Sequence, residues 1–551
     1  LRVVIIGRLY APAVWRLVQR LSREATGVVV AGVLLEPVRG KSFRARVRNF
    51  AASARRPGYA RYVASRLASI PVRTAARVGD ELLRAWHAAP REPNPPDLTE
   101  SGLLERLDAA GIRALVTPDV HSPEALAFVR SLDADLGILY GARILEPELF
   151  EIPRLGSINV HQRKVPDYRG GGPIGLWELL DNEPSIGVTI HRVTAALDAG
   201  AVVASATIPI ERFDDLVSLG LKADIVGDDL LVQAATDFAA GTVTERPQGE
   251  GGRLYRTPTP EALYQMERAL RRRRPRFRPR PGWPRWKLAV RLALFGLPTA
   301  WRNRLHRRRA SFPVVILYHH IVTDRPHTMG IATSHFARQV DYLRRHYRIV
   351  SLPDAIAMLR AGRVDAPTVV LTFDDGYADN VVNVRAVLEP LGLSATFFVC
   401  SQHLETGCAF RHDAAAGDKG FRPMTWDDAK TLADHGFTVA SHTRTHFNCA
   451  STDVELLRHE VGDARREIEA AIGRPVRGFS FPWGQPANMS AEAVEIAGTS
   501  YDRFFSACGG VNWPGASDQR HFRRSPHPDD AIELELTLQS LLDLDPPPLP
   551  F

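Results

Sequence analysis

Short apolar runs punctuate the first half of the chain, near residues 2–6, 28–35, 112–116, 135–140 and 155–160, and helix-like apolar spacing fills the intervals. Alternation of strand-length with helix-length patterns predicts an α/β doubly wound sheet over residues 1–250. The first strand ends in a single glycine, Gly7, rather than a Gly-x-Gly-x-x-Gly loop, so no dinucleotide site is expected. Residues 39–97 break the alternation. They carry Lys41, Arg44, Arg46, Arg48, Arg55, Arg56, Arg61, Arg66, Arg73 and Arg77 among helically spaced apolar positions, and they finish in Pro90-Arg91-Glu92-Pro93-Asn94-Pro95-Pro96, which cannot continue a helix. A basic helical insertion is expected here. A second break, residues 246–285, is rich in proline, glycine and arginine, a composition that few regular elements tolerate. Residues 251–311 are therefore expected to form a Pro/Arg-rich linker, residues 312–551 a second domain, and Asp545 to Phe551 a frayed tail.

In the second half, Thr368-Val369-Val370-Leu371-Thr372-Phe373 reads as a buried strand that runs straight into Asp374-Asp375-Gly376. Two carboxylates at the C-terminal edge of a strand lie where α/β folds keep their chemistry, although an acidic pair can also serve as a helix N-cap. Further on, Ser441-His442-Thr443-Arg444-Thr445-His446 follows another apolar run, Phe437 to Ala440. Histidines four apart share one face of a helical turn and can grip one metal ion with a carboxylate from elsewhere.

The first half holds a second constellation: Gly156-Ser157-Ile158-Asn159-Val160-His161, then Pro166-Asp167-Tyr168-Arg169-Gly170-Gly171-Gly172-Pro173, then Gly187 to His191 and Leu197-Asp198-Ala199-Gly200. Period-two spacing places Asn159 and His161 on one face of a strand, so an amide donor and an imidazole converge. Asp198 can return across the sheet to orient His161 or to share a water with it. Such a trio suits acyl transfer to an amine, with Asn159 donating to the oxyanion and His161 and Asp198 handling the proton. Taken singly, a histidine on a strand is more often a satisfied structural residue.

With 551 residues, 45% of them hydrophobic, the chain can bury two or three cores. Its 70 basic against 62 acidic residues give +8, concentrated in arginine clusters that favour anionic partners. Between two clusters, Trp286 to Pro298 is too short and too charged to span a bilayer. Residues 286–309 suit either peripheral contact with a membrane or packing as a linker helix on one domain. Leu1 to Gly7 reads as a strand and a turn without an export signal, and Cys400, Cys408, Cys449 and Cys508 have no metal spacing, so free thiols and a cytoplasmic setting, at most at the inner membrane face, are expected.

From Phe312 to Arg524 the chain resembles the NodB-type polysaccharide deacetylases. The likeness is carried by Thr372 to Gly376, His442/His446, Val314 to His319, Ala395 to Val399, and Phe479-Ser480-Phe481-Pro482-Trp483-Gly484. It implies a distorted (β/α) barrel that hydrolyses N-acetyl groups, with Asp375, His442 and His446 on a divalent metal, zinc first, with cobalt, nickel or manganese as alternatives. Asp374 would then take a proton from water, His527 or His319 would be the general acid, and the backbone near Trp483 would serve the oxyanion. The family's third motif commonly carries an arginine that pairs with the catalytic Asp; Ser480 stands there, so Asp374 is expected to lack that positive neighbour.

Residues 1–250, through the Asn-x-His pair and Asp198, resemble the Rossmann-like catalytic domain of the folate-dependent formyltransferases, which include methionyl-tRNA and nucleotide-sugar formyltransferases. That resemblance implies catalytic roles for Asn159, His161 and Asp198, with N10-formyltetrahydrofolate as donor, near Tyr140, Gly141, Arg143, Ile144 and Leu145. No small β-barrel of the tRNA-binding type follows, so nucleic acid is not favoured as a partner. Together the resemblances imply an enzyme that deacetylates an amino sugar, free, nucleotide-linked or lipid-linked, and then formylates the amine; the arginine clusters favour a sugar that carries phosphate. Formylation followed by deformylation is the main alternative; a tRNA-binding or membrane-surface protein with one active domain is another.

Overall fold

The computed structural model describes residues 1–37, 59–68, 79–84, 95–249, 251–256, 258–273, 284–515 and 519–542. The chain forms two compact units, Leu1–Pro71 with Asp97–Arg274, and Val72–Pro96 with Pro275–Phe551. Most of the expected basic insertion, and the tail from residue 543, lie outside the described residues.

In the first unit, strands β1 (Arg2–Arg8), β2 (Val29–Glu36), β3 (Arg113–Val116), β4 (Leu136–Tyr140) and β5 (Ser157–His161) pair in parallel in the order β3-β2-β1-β4-β5. Strands β7 (Ser185–Arg192) and β8 (Val202–Pro209) extend the sheet antiparallel beyond β5. The pleat explains why β1 reads as an unbroken apolar run. Val3 and Ile5 face a core formed with helices Ala11–Glu24 and Leu216–Ala240, whereas Val4 and Ile6 face another formed with helix Pro123–Ser131. Gly7 is a packing residue: a Cβ there would meet the carbonyl oxygen of Tyr140 at 2.1 Å, across the β1/β4 pair. A separate parallel ribbon joins β6 (Tyr168–Gly170) to β9 (Arg253–Tyr255). The stretch expected to be irregular thus holds β9 and a helix, Pro260–Arg273, whose proline occupies the first turn, where its missing N–H costs nothing.

The second unit is a parallel barrel. Its strands are β10 (Val314–His319), β14 (Thr368–Phe373), β15 (Thr396–Val399), β16 (Thr438–Ser441), β17 (Gly478–Ser480), β18 (Arg503–Ser506), β19 (His521–Arg523) and β20 (Ser525–Pro526). Strand β13 (Arg348–Ile349) flanks β14, and β11 (Ile321–Val322) pairs with β12 (Gly330–Ile331) outside it. The sheet begins at β19 and ends at β20, yet these are consecutive in the chain with only Arg524 between them. β19 pairs with β18 and β20 with β10, so a single extended segment closes the barrel, and Arg524 is its joint. Val314, Ile316, Val370, Phe398, Ala440, Phe505 and Phe522 fill one buried cluster, as expected where consecutive strands send alternate residues to a common interior. Helix Arg285–Arg309 lies against this unit, with Leu288, Leu292 and Phe295 packed on Leu536, Leu541 and Leu542.

Candidate active sites

At the C-terminal ends of the barrel strands, Tyr318, His320, Asp374, Asp375, His412, His442, His446, Trp483 and Arg524 line a cleft of about 290 Å³ that also includes Thr328, Met329, Ala416, Phe481 and Ala507. Asp375 is fully buried, and neither carboxylate oxygen has a hydrogen-bond partner among the described residues. Its Oδ1 stands 3.5 Å from His442 Nε2 and 3.2 Å from His446 Nε2, and the three donors lie within one ion's reach of each other. His442 Nδ1 is 2.7 Å from the carbonyl of Ser480. A carbonyl only accepts, so Nδ1 carries the proton and Nε2 presents its lone pair. A buried carboxylate without donors, beside an imidazole fixed in the ligating tautomer, fits a divalent cation.

The two histidines are not brought together by a helical turn. After β16 the chain forms a loop in which Thr443 and His446 adopt φ of 64° and 57°. Glu460 pins that loop, accepting from the backbone N–H of Arg444 (3.1 Å) and Thr445 (3.0 Å) and from the Thr445 hydroxyl (2.9 Å). Asp375 and Trp483 are also left-handed, at 71° and 57°, so strained backbone gathers around the cleft.

Asp374 has the cation that its third-motif neighbour does not supply. Arg524 donates to Asp374 through both terminal nitrogens, at 2.6 and 2.8 Å, and also bonds Ser480 Oγ at 2.5 Å. The guanidinium packs over Tyr318 and Phe398 inside the barrel. Burial alone would raise the Asp374 carboxyl, but Arg524, joined by His442 and His320, outweighs it and leaves the group below the ordinary carboxylate range. His412, which no sequence motif marks, also reaches the site; its Nε2 lies 2.9 Å from the Tyr377 hydroxyl and 3.5 Å from Asp375 Oδ2.

In the first unit, Asn159 faces His191 across the antiparallel β5/β7 pair, with Asn159 Nδ2 3.2 Å from His191 Nε2. His191 Nδ1 donates to the Arg192 carbonyl at 2.8 Å, so Nε2 is the acceptor that orients the Asn159 amide. His161 Nε2 likewise donates to the Tyr168 carbonyl at 3.2 Å and turns Nδ1 toward Asp198 Oδ1, 3.8 Å away. Asp198, itself at φ 51°, accepts from the Gly170 N–H at 3.1 Å and lies 3.7 Å from His191. Burial pushes both imidazoles below their ordinary value and keeps them neutral near pH 7.

Residues 66–235 match the family model for formyl transferase, and residues 361–501 match that for polysaccharide deacetylase. The chain joins a formyltransferase-like unit to a polysaccharide-deacetylase-like unit. The methionyl-tRNA formyltransferase of Macrococcus caseolyticus is 35% identical over 154 residues, which are 28% of this chain and 49% of that protein. That of Listeria monocytogenes is 41% identical over 21% of this chain and 38% of its own length. The chain thus spans half or less of these two relatives. A solved structure of IcaB from Ammonifex degensii is 21% identical over 41% of this chain and 97% of that one, with a TM-score of 0.37.

Not every expected residue of the deacetylase-like unit reaches the cleft. His319 and His527 are buried outside its lining, 4.0 Å apart between ring centroids and packed on Phe336. On β10, Tyr318 and the following His320 face the cleft while His319 points the other way, as strand alternation requires. In the formyltransferase-like unit, the Tyr140 hydroxyl donates to Asp228, which also holds Arg16, and Leu145 is in the core. Gly141, Arg143 and Ile144 stay accessible on the loop after β4, with Arg143 3.2 Å from Asp119 and Ile144 largely exposed.

Two outcomes follow from this geometry. The chelator-treated chain should bind one equivalent of zinc or cobalt in the cleft by calorimetry, and His442→Ala or Asp375→Ala should abolish that binding. Arg524→Met should lower the unfolding free energy at neutral pH by about 3–5 kcal/mol, measured by urea titration, because it leaves Asp374 buried without its cation. Since Asp374 is held below its unfolded-state value, that contribution is present above about pH 4 and lost as pH falls through the folded value. The gap between the two proteins should therefore close in acid; a constant gap would argue against the pairing.

Proposed function

We propose that the chain exchanges the acyl group on one nitrogen: the deacetylase-like unit hydrolyses the N-acetyl group of an amino sugar, and the formyltransferase-like unit formylates the freed amine. The observation that carries this reading is the presence in one chain of two complete acyl-chemistry constellations, Asp374/Asp375/His442/His446 and Asn159/His161/His191/Asp198.

In the first, Asp375, His442 and His446 would hold the divalent ion, which when bound polarises the amide carbonyl and activates water. Asp374, ionised at neutral pH, accepts the proton of the attacking water, and its Arg524 clamp keeps the accepting oxygen aimed into the cleft. His320 and His412 line the cleft and are the candidates to protonate the leaving nitrogen. In the second, one N–H of Asn159 is held by His191, and the other, without a partner among the described residues, would donate to the carbonyl oxygen of the formyl group that N10-formyltetrahydrofolate supplies. His161 Nδ1 and Asp198, separated by a span that one water bridges, receive the proton shed by the attacking amine. The arginine excess favours a sugar that carries phosphate, and a cytoplasmic setting would supply the folate donor.

Mass spectrometry of N-acetylated sugar phosphates and nucleotide sugars tests the sequence of events. Incubation with metal should remove about 42 Da, and addition of the formyl donor should then add about 28 Da, the masses of the acyl groups exchanged in hydrolysis and transfer. Hydrolysis of the formamide as fast as the acetamide would sink this order and favour formylation before deformylation. His161→Ala should lower the second step by about 10²–10⁴-fold and leave the first unchanged, whereas Asp374→Asn should do the opposite.

A further inference from the structure

Helix Arg285–Arg309 buries one side and leaves an apolar stripe on the other. Trp286, Val290, Leu294, Leu297 and Trp301 are 64, 49, 69, 79 and 65% exposed. At 3.6 residues per turn these five fall within an arc of about 80°, and the two tryptophans lie about 22 Å apart along the axis. Arg304 and Arg308 continue the same face, Lys287 borders it, and Arg307 and Arg309 flank its end. The helix has eight Lys or Arg and no Asp or Glu in 25 residues. So large a contiguous apolar surface on an acid-free helix needs an occupant that is apolar within and anionic at its rim.

We propose that this face docks the chain on an anionic lipid surface, with the leucines and valine below the headgroups, the tryptophans at the interface and the arginines on phosphate. Nucleic acid would satisfy the arginines but not cover Val290, Leu294 and Leu297. A second copy seated on the same face would bring two basic, acid-free helices together. No helix among the described residues is long and apolar enough to cross a membrane, so the contact is peripheral. The first turn of the helix is tied to the barrel by Arg285, 3.0 Å from Asp530, just after closing strand β20. The face therefore belongs to the folded unit and is not a loose tether. This inference stands on the surface alone, independent of the acyl chemistry.

Flotation of the full chain with vesicles tests it. The chain should float with vesicles of phosphatidylglycerol and phosphatidylcholine, and scarcely with phosphatidylcholine alone. Leu294→Glu with Leu297→Glu should lower the bound fraction by about tenfold or more, with the melting temperature unchanged because both side chains are exposed. Arg307→Gln with Arg308→Gln and Arg309→Gln should weaken binding and flatten its salt dependence. Absence of flotation, or equal flotation of the double glutamate variant, would overturn the proposal. So would a dimer by light scattering that the double variant converts to monomer without any change in flotation.

Discussion

The bidentate pair between Arg524 and Asp374 is the interaction on which the second unit is organised. Two adjacent carboxylates inside a closed barrel are an expensive arrangement, since each resists removal from water and each repels the other. Asp375 lies within reach of His442 and His446 in a group that could hold a cation, whereas Asp374 takes its counter-charge from the segment that closes the barrel. Closure and charge compensation are thus one event. The segment that joins β18 to β10 cannot be displaced without stripping Asp374 of its partner. The barrel wall and Asp374 are coupled through one side chain, which also reaches Ser480 on β17 and Thr372 on β14.

The formyltransferase-like unit meets a similar problem with neutral groups. Two buried imidazoles stand near one carboxylate, and each is fixed in its tautomer by donating to a backbone carbonyl, Tyr168 for His161 and Arg192 for His191. The two tautomers differ, which leaves His191 Nε2 and His161 Nδ1 as the acceptors around Asp198. In both units a carboxylate of the candidate site sits on left-handed backbone, Asp198 at φ 51° and Asp375 at 71°. A short turn in that conformation aims a side chain that a regular strand would send to the opposite face.

Much of this was legible in the sequence because it depends on local period. The five parallel strands of the first sheet lie where the apolar runs fall, and Asn159 and His161 share a face because they stand two positions apart on β5, with only Val160 between them. Asp374 and Asp375 follow a strand whose six residues are all buried. What was not legible depends on long-range closure. Arg524 lies 150 positions from Asp374 and beyond the residues that match the deacetylase family model, and nothing in its own neighbourhood marks it as a partner. His191 was within view but gained meaning only from the register that sets it opposite Asn159. His319 looked functional as a histidine at a strand end; the pleat turned it away and presented His320. The 442–446 loop resembled a helical turn by spacing alone, and only Glu460 and two left-handed residues show how it is held.

If both units act on the same nitrogen, the cleft at Asp375 faces a selectivity problem that its acyl pocket cannot solve. Formyl is acetyl less a methyl group, so any space that admits the acetamide also admits the formamide, and the missing methyl is worth only about 1–3 kcal/mol of discrimination. Formamides are also the less hindered electrophiles, which works against the desired preference. Protection of the product must therefore come from the part of the sugar remote from the reacting carbonyl. Binding energy realised there can gate entry to the cleft independently of the acyl group, provided that it differs between the two substrates. A carrier bound by one unit and refused by the other meets this requirement, as does release of the formylated product into a form that the cleft does not accept. On either route, directionality resides in recognition of the carrier, and the two carboxylates in the barrel are free to be optimised for hydrolysis alone.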